Sequence, residues 1–379
     1  MIRPHPCVIR AISLVVLLAA CAFTAAAGGN APYRIVGYVV DGDALPKITA
    51  GKLDAINFAF AKVDAEHRVF LPGATAPQRL RELGALRRDN PQLQILLSIG
   101  GWGAGNFSEA ASTPAARRVF TDSAMQLLVR HELDGLDIDW EYPTLAGPGI
   151  SHSPDDRRNF SLLLEALRAR LDALGEKNGR RYLLTVAAAD GRAASGLEIA
   201  RIAKVLDWIN LMGYDFYGSL SKTTGHHASL HRSASAEPDS RTAAQGVDEF
   251  LRAGTPPDKL VLGVGFYGRH FDEVAPANNG LNQPYGSGGG YLSWRQISTD
   301  YQHRDGYVRH WDAQAQAPSL WNAKTRHFIS YEDPQSLRAK TALVREKGLG
   351  GIMYWEHGQD VDEQLLDVVV SGLREKTVP

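Results

Sequence analysis

The stretch "LDGLDIDWEYP", Leu133 to Pro143, sets Asp134, Asp137, Asp139 and Glu141 among Leu, Ile and Trp. In an extended chain successive side chains alternate, so Asp137, Asp139 and Glu141 share one face. Leu136, Ile138 and Trp140 share the other. A solvated charge run would not interleave Ile and Trp. A calcium loop needs Gly at its sixth position and polar residues where apolar ones stand here. Carboxylates stacked on the inner face of a buried strand cannot all ionise cheaply, which points to chemistry. Asp137 and Asp139 are expected to share a proton. That coupling raises at least one apparent pKa and lets Glu141 stay protonated as an acid.

Seven further runs rich in Val, Ile, Leu and aromatics flank this one: "YRIVGYVV" (33–40), "LDAINFAFAKV" (53–63), "LQILLSIGG" (93–101), "YLLTVAAA" (182–189), "VLDWINLMGYD" (205–215), "LVLGVGFYG" (260–268) and "GGIMYWE" (350–356). Near-continuous apolar strands suit a parallel sheet covered on both sides. Amphipathic helical patterns lie between most of them. One is expected to open with Ser153 as N-cap, Pro154 at the first helical position and Asp156 closing a capping box. Its apolar face is Phe160, Leu163, Leu164, Leu167, Leu171 and Leu174. Another opens with Thr113 and Pro114, directly before the acidic strand. Eight strands alternating with helices predict an α/β fold, a (β/α)8 TIM barrel over residues 31–268 and 330–379. Glu141 then falls at the carboxyl end of its strand, where barrel active sites lie.

The interval 269–329 is too long for a barrel connection. Its aromatics and strand-like pieces predict a small α+β insertion domain between the seventh strand and the seventh helix. Trp294, Trp311 and Trp321 divide between its core and sugar-stacking positions. "GSGGG" at 286–290 reads as a flexible turn, because no Lys-Ser/Thr follows to make a phosphate loop. His226, His227 and His231 lack a second ligand pair of zinc spacing. No metal or cofactor is expected.

With 379 residues, 44% hydrophobic, and a net charge of −1, the chain has ample core and no long basic run. A nucleic-acid partner is therefore not expected. Residues 1–30 read as a secretory signal, with basic Arg3 and Arg10 before an apolar run too short to span a membrane. Two cleavage readings compete. "AAA" at Ala25 to Ala27 suits ordinary cleavage, whereas "LAAC" ending at Cys21 resembles a bacterial lipobox that lipidates the cysteine. Cys7 and Cys21 are the only cysteines, so the exported protein is expected to hold no disulfide.

These motifs resemble those of the glycoside hydrolase family 18 chitinases. "DGLDIDWE" matches the family's DxxDxDxE strand, "SIGG" at Ser98 to Gly101 its second motif, and "MGYD" at Met212 to Asp215 its third. Trp355 in "GGIMYWE" stands where the family keeps an aromatic floor. The segment after "GFYGR" resembles the insertion domain of deep-grooved members. The resemblance covers about residues 33–376, with the motifs in the family's order. It implies that Glu141 is the general acid and then the base. Asp139 orients the substrate's acetamido group, Asp137 holds Asp139 by a shared hydrogen bond, and Tyr214 bonds the acetamido carbonyl. Asp215 and Met212 line the same subsite, Trp355 lies beneath the sugar and Trp102 stacks on a neighbouring one. Tyr38, Phe60, Tyr267, Arg269 and Ser98 complete the implied binding set, Ser98 supporting Asp137 from behind.

The spacing bears on mechanism. Asp139 and Glu141 lie on one face of one strand, so Asp139 is poorly placed for the backside attack of an ordinary retaining pair. A 2-acetamido carbonyl of the substrate is then the natural nucleophile. With the signal segment, the resemblance implies an exported enzyme cleaving β-1,4 bonds between N-acetylglucosamine units of chitin, and a monomer is expected. The rivals are an endo-β-N-acetylglucosaminidase acting on N-glycans or peptidoglycan, and a chitin-binding lectin, which would usually lack the acid that Glu141 supplies.

Overall fold

The computed structural model describes residues 33–374, together with Met1. The expected signal segment with Cys7, Ala25, Ala27 and Cys21 lies outside them. In chain order the strands are β1 (Arg34–Val40), β2 (Ala55–Val63), β3 (Val69–Phe70), β4 (Gln94–Gly100), β5 (Gly135–Asp139), β6 (Leu183–Ala188), β7 (Trp208–Leu211), β8 (Leu260–Gly265), β9 (Tyr267–Asp272), β10 (Ser287–Ser293), β11 (Tyr307–Asp312), β12 (Ala317–Asn322), β13 (His327–Tyr331) and β14 (Gly351–Trp355). The helices are α1 (Ala76–Ala85), α2 (Phe107–Ser112), α3 (Pro114–Arg130), α4 (Asp156–Asn178), α5 (Ile199–Val205), α6 (Ala243–Arg252), α7 (Trp294–Gln296), α8 (Pro334–Lys347) and α9 (Gln364–Arg374).

Eight parallel strands run in the order β1, β14, β8, β7, β6, β5, β4, β2, and the β2–β1 pairing closes the ring. This is the predicted (β/α)8 barrel. The first crossover, from β1 to β2, carries only a single 3-10 turn at Ala50–Lys52. The short β3 folds back antiparallel on the end of β2. Apolar residues separate by strand parity into two cores. Val36, Ala55, Leu96, Trp208, Val261 and Met353 fill the barrel interior. Leu136, Ile138 and Trp140 turn outward to the helices, as the period-2 reading requires. Trp140 stacks on Phe107 of α2 at 5.4 Å and meets Phe160 of α4 edge-on at 5.5 Å. Truncating it to Ala would cost about 3–5 kcal/mol.

Helix α3 starts as expected, with the Thr113 side chain accepting from the Ala116 amide and Pro114 at the first position. Helix α4 starts at Asp156 rather than at Pro154. Half of the expected box survives, since Asp156 Oδ2 accepts from the Ser153 amide at 2.7 Å. Its other oxygen accepts from Ser108 Oγ of α2, and the residue is fully buried. That tertiary tie, absent from local pattern, moves the boundary.

Between β8 and α8 a five-stranded antiparallel sheet runs in the order β10, β9, β13, β12, β11. Only Phe266 separates β8 from β9. The "GSGGG" segment is not a flexible turn. It enters β10, where a bulge between Gly288 and Gly290 re-registers the strand against β9. Trp294 and Trp321 are buried in this region, while Trp311 is half-buried beside the Arg309 guanidinium.

Candidate active site

Barrel register sets Ser98 of β4, Asp137 of β5 and Thr185 of β6 abreast. Asp137 is wholly buried, and four donors from four other strands surround it. Tyr38 OH and Ser98 Oγ each reach Oδ2 at 2.7 Å, while Thr185 Oγ1 reaches Oδ1 at 2.6 Å and Asn210 Nδ2 at 3.3 Å. Burial pushes the Asp137 carboxyl above its ordinary range, against the pull of those donors. With its lone pairs taken, Asp137 makes no hydrogen bond to Asp139, contrary to the expected pairing.

Asp139 is the next inward residue and is 4% exposed. Its Oδ1 is buried with no hydrogen-bond partner. Burial first, then the charges of Glu141 and Asp137, push its pKa well above the carboxylate range, and Lys62 only partly opposes them. Beside it, Gly100 adopts φ +132°, and a Cβ there would lie 1.9 Å from the Asp139 carbonyl oxygen. The first glycine of "SIGG" is therefore dictated by close approach of two strands.

Glu141 follows just beyond β5. Burial raises its carboxyl from 4.5 to about 7, with the Asp215 charge adding to the rise and Tyr142 and Lys62 opposing it. Such a group is half protonated near neutrality and can both give and take a proton. Asp134 serves a different end of the strand. It accepts from the Ile95 amide and pairs with Arg87 and Arg180, clamping the barrel base away from Glu141.

The Tyr214 hydroxyl has Met353 Sδ as its hydrogen-bonding contact, at 3.9 Å, so its polar capacity is largely uncommitted. Trp355 stacks on Phe60 at 5.5 Å with 17° between planes, and Tyr38 leans against both. Met212 packs against the barrel interior beside them. Asp215 holds the Arg269 guanidinium through both oxygens, at 2.8 and 2.7 Å. Burial would raise the Asp215 pKa, but His227 and Arg269 outweigh it and hold the carboxyl far below the usual range. Trp102 is 57% exposed and meets Tyr142 edge-on, leaving a face for a ligand.

Three of the expected binding residues, Tyr38, Ser98 and Tyr267, are at most 1% exposed and so stand behind the wall rather than in it. Tyr291 is the accessible ring in front of Tyr267, stacked at 4.2 Å and overlaid by Arg269. Sequence reasoning missed Tyr291, Thr185, Asn210 and Lys62. Thr185 and Asn210 share the inward parity of their strands, which would have flagged them. Lys62, whose Nζ donates to the Gly100 carbonyl at 2.6 Å and lies 5.1 Å from the Phe60 ring centre, reads in sequence as an ordinary strand-end lysine. His226 and His227 do not converge. His226 faces Asp312 at 3.5 Å and His227 faces Asp215 at 3.8 Å.

Inward acids rising to the carboxyl mouth of a parallel barrel, with aromatic rings beside them, define a barrel with an acid site at its carboxyl end. Residues 34–360 match the model of the glycosyl hydrolases family 18. The chain belongs to that family. It is 42% identical to Chitinase A1 of Niallia circulans over 310 residues, which is 78% of this chain and 44% of that protein. It is 35% identical over 312 residues to Chitotriosidase-1 of Mus musculus, covering 79% of this chain and 65% of that one. Among solved structures, a family 18 N-acetylglucosaminidase from Paenibacillus barengoltzii superposes with a TM-score of 0.85 at 42% identity, over 90% of this chain and all of that one. This chain thus spans 44% and 65% of those two curated relatives.

Proposed function

We propose that this chain is an exported, retaining glycosidase that cleaves β-1,4 bonds between N-acetylglucosamine units, with chitin as its polymer. The observation that carries the reading is the buried, unpartnered Oδ1 of Asp139, flanked by a Glu141 that is half protonated near pH 7. A buried polar atom without a partner is costly, and a substrate N–H would satisfy it. Tyr214, whose hydroxyl has only a weak contact to Met353 Sδ, can donate to the carbonyl of the same acetamido group, and Trp355 supplies an apolar floor.

The chemistry follows from these groups. Glu141 gives its proton to the glycosidic oxygen as the C1–O bond breaks. The acetamido carbonyl oxygen attacks C1 from the opposite face and closes an oxazolinium ring. The ring nitrogen donates its N–H to Asp139, and the cation beside it draws that carboxyl, whose pKa is raised in the free site, towards its charged form. The Glu141 carboxylate then takes a proton from water, whose oxygen attacks C1 and reopens the ring with the β-configuration retained. Asp137, held in place by its four donors, stands behind Asp139 and helps to raise its pKa.

The Paenibacillus relative's name favours a second reading, in which single N-acetylglucosamine units are the product. The exposed Tyr291, held beside Arg269 near Asp215, supports contact with a further sugar unit and so the first reading. Mass spectrometry of products from chitin hexasaccharide separates them. Internal cleavage products support the first reading with action inside the chain, stepwise monosaccharide release favours the second, and an uncut hexasaccharide overturns both. A lectin is disfavoured by an intact Glu141 with a raised pKa. We also propose that residues 1–30 export the chain, that 31–268 with 330–379 form the catalytic domain and 269–329 an insertion, and that the enzyme works as a monomer. Among the described residues no helix is long and apolar enough to cross a membrane. Lipidation at Cys21 is tested by radioactive palmitate labelling of cells.

A further inference from the structure

On the face of the insertion sheet opposite Arg269, three side chains converge that the sequence reading left unassigned. His270 and Asp272 alternate along β9, and His327 begins the adjacent β13. His327 Nε2 lies 3.3 Å from His270 Nδ1. Asp272 oxygens lie 3.6 Å from His270 Nδ1 and 3.8 Å from His327 Nε2. Only the first of these separations is within hydrogen-bond range. A tetrahedral zinc with ligands at about 2.0–2.1 Å holds its ligand atoms about 3.3 Å apart. The three groups thus lie within 4.8 Å of one another, close to the spacing of three corners of such a tetrahedron.

The surroundings suit a cation. Tyr307 OH lies 2.7 Å from His327 Nδ1, so an Nδ1–H donated to the phenol oxygen leaves the Nε2 lone pair facing Asp272 and His270. Gly290 makes room for the His270 imidazole, because a Cβ there would sit 2.5 Å from its Nε2. His327 is 9% exposed and Asp272 48%, which fixes one ligand in the sheet and leaves the solvent side open for a water. Arg304 acts on this cluster with an opposing positive charge, and the Asp272 carboxylate offsets it.

We infer that His270, Asp272 and His327 form a binding site for a divalent transition cation of the zinc type, clipping β9 to β13. Imidazole and carboxylate together suit zinc better than calcium or magnesium. The site is remote in role from Glu141. β9 also carries Arg269, the partner of Asp215.

The test uses the tag-free exported chain, stripped with EDTA and titrated with Zn2+ by calorimetry. One saturable site per chain is expected. His270→Gln and Asp272→Asn, both at partly exposed positions, should each raise the dissociation constant at least about 10-fold, and Tyr307→Phe by about 10-fold. The Co2+-loaded protein should absorb in the visible with the intensity of a tetrahedral ion. Circular dichroism establishes that each variant is folded. Absence of saturable binding, or zinc affinity unchanged in folded His270→Gln, overturns the assignment.

Discussion

Replacing Glu141 with Gln removes a proton donor and a buried titrating charge together, and the structure predicts opposite signs for activity and stability. Burial holds the Glu141 carboxyl at about 7, against 4.5 for the ordinary group. Between those two pH values the folded chain keeps a proton that the unfolded chain has released. The folded state therefore binds more protons, and stability falls as pH rises through the window from 4.5 to 7. At about 1.4 kcal/mol per pKa unit the full cost above pH 7 is at most about 3.5 kcal/mol. Gln carries no such charge. At pH 8 the variant should be more stable than the parent by on the order of 1–3 kcal/mol, while at pH 4 the two should coincide. Urea unfolding followed by tryptophan fluorescence reads this difference at each pH. Turnover moves the other way. Loss of the proton donor should lower kcat by at least about 10³-fold with oligosaccharide binding retained. In the parent, kcat/KM should fall about tenfold per unit above pH 7 as the acid form disappears. A variant that is less stable than the parent at pH 8, or one with near-normal turnover, refutes the reasoning.

Three further outcomes follow from the same geometry. Lys62→Met removes a charge that lowers the Glu141 pKa, so the alkaline limb of the pH–rate profile should move to higher pH; an unmoved limb would show that Lys62 does not act on Glu141. Asp139→Ala removes the partner of the acetamido nitrogen, so a thiazoline analogue of the cyclic intermediate should inhibit it less than it inhibits the parent, with kcat down by about 10²–10³. Proton NMR of fresh product should show the β-anomer first, and fully deacetylated oligomers should not be cut; an initial α-anomer or a trapped glycosyl-Asp ester would sink the substrate-assisted scheme.

Local pattern sufficed for the barrel and for its acid ladder. Strand parity depends only on successive residues, so Asp137 and Asp139 inward with Leu136, Ile138 and Trp140 outward could be read from the chain alone. Thr113 and Pro114 marked their helix start for the same reason. The start of α4 could not be read this way, because Asp156 is claimed by Ser108 from another helix. Nor could the environment of Asp137. Tyr38, Ser98, Thr185 and Asn210 come from β1, β4, β6 and β7, and only closure of the ring brings their donors onto one carboxylate. By consuming the lone pairs of Asp137, that closure leaves Asp139 unpaired where a shared hydrogen bond was expected. Glycines 288 to 290 show the same division, since a run that looks flexible in isolation becomes a bulged strand once β9 pairs with it. His270 and His327, 57 residues apart, carry no ligand spacing along the chain, and cross-strand register alone makes them neighbours. The amino-acid order determined which residues face inward, because that is a property of adjacent peptides. Which groups they meet there was decided by tertiary structure, because hydrogen-bond partners and pKa values depend on distances between strands remote in sequence.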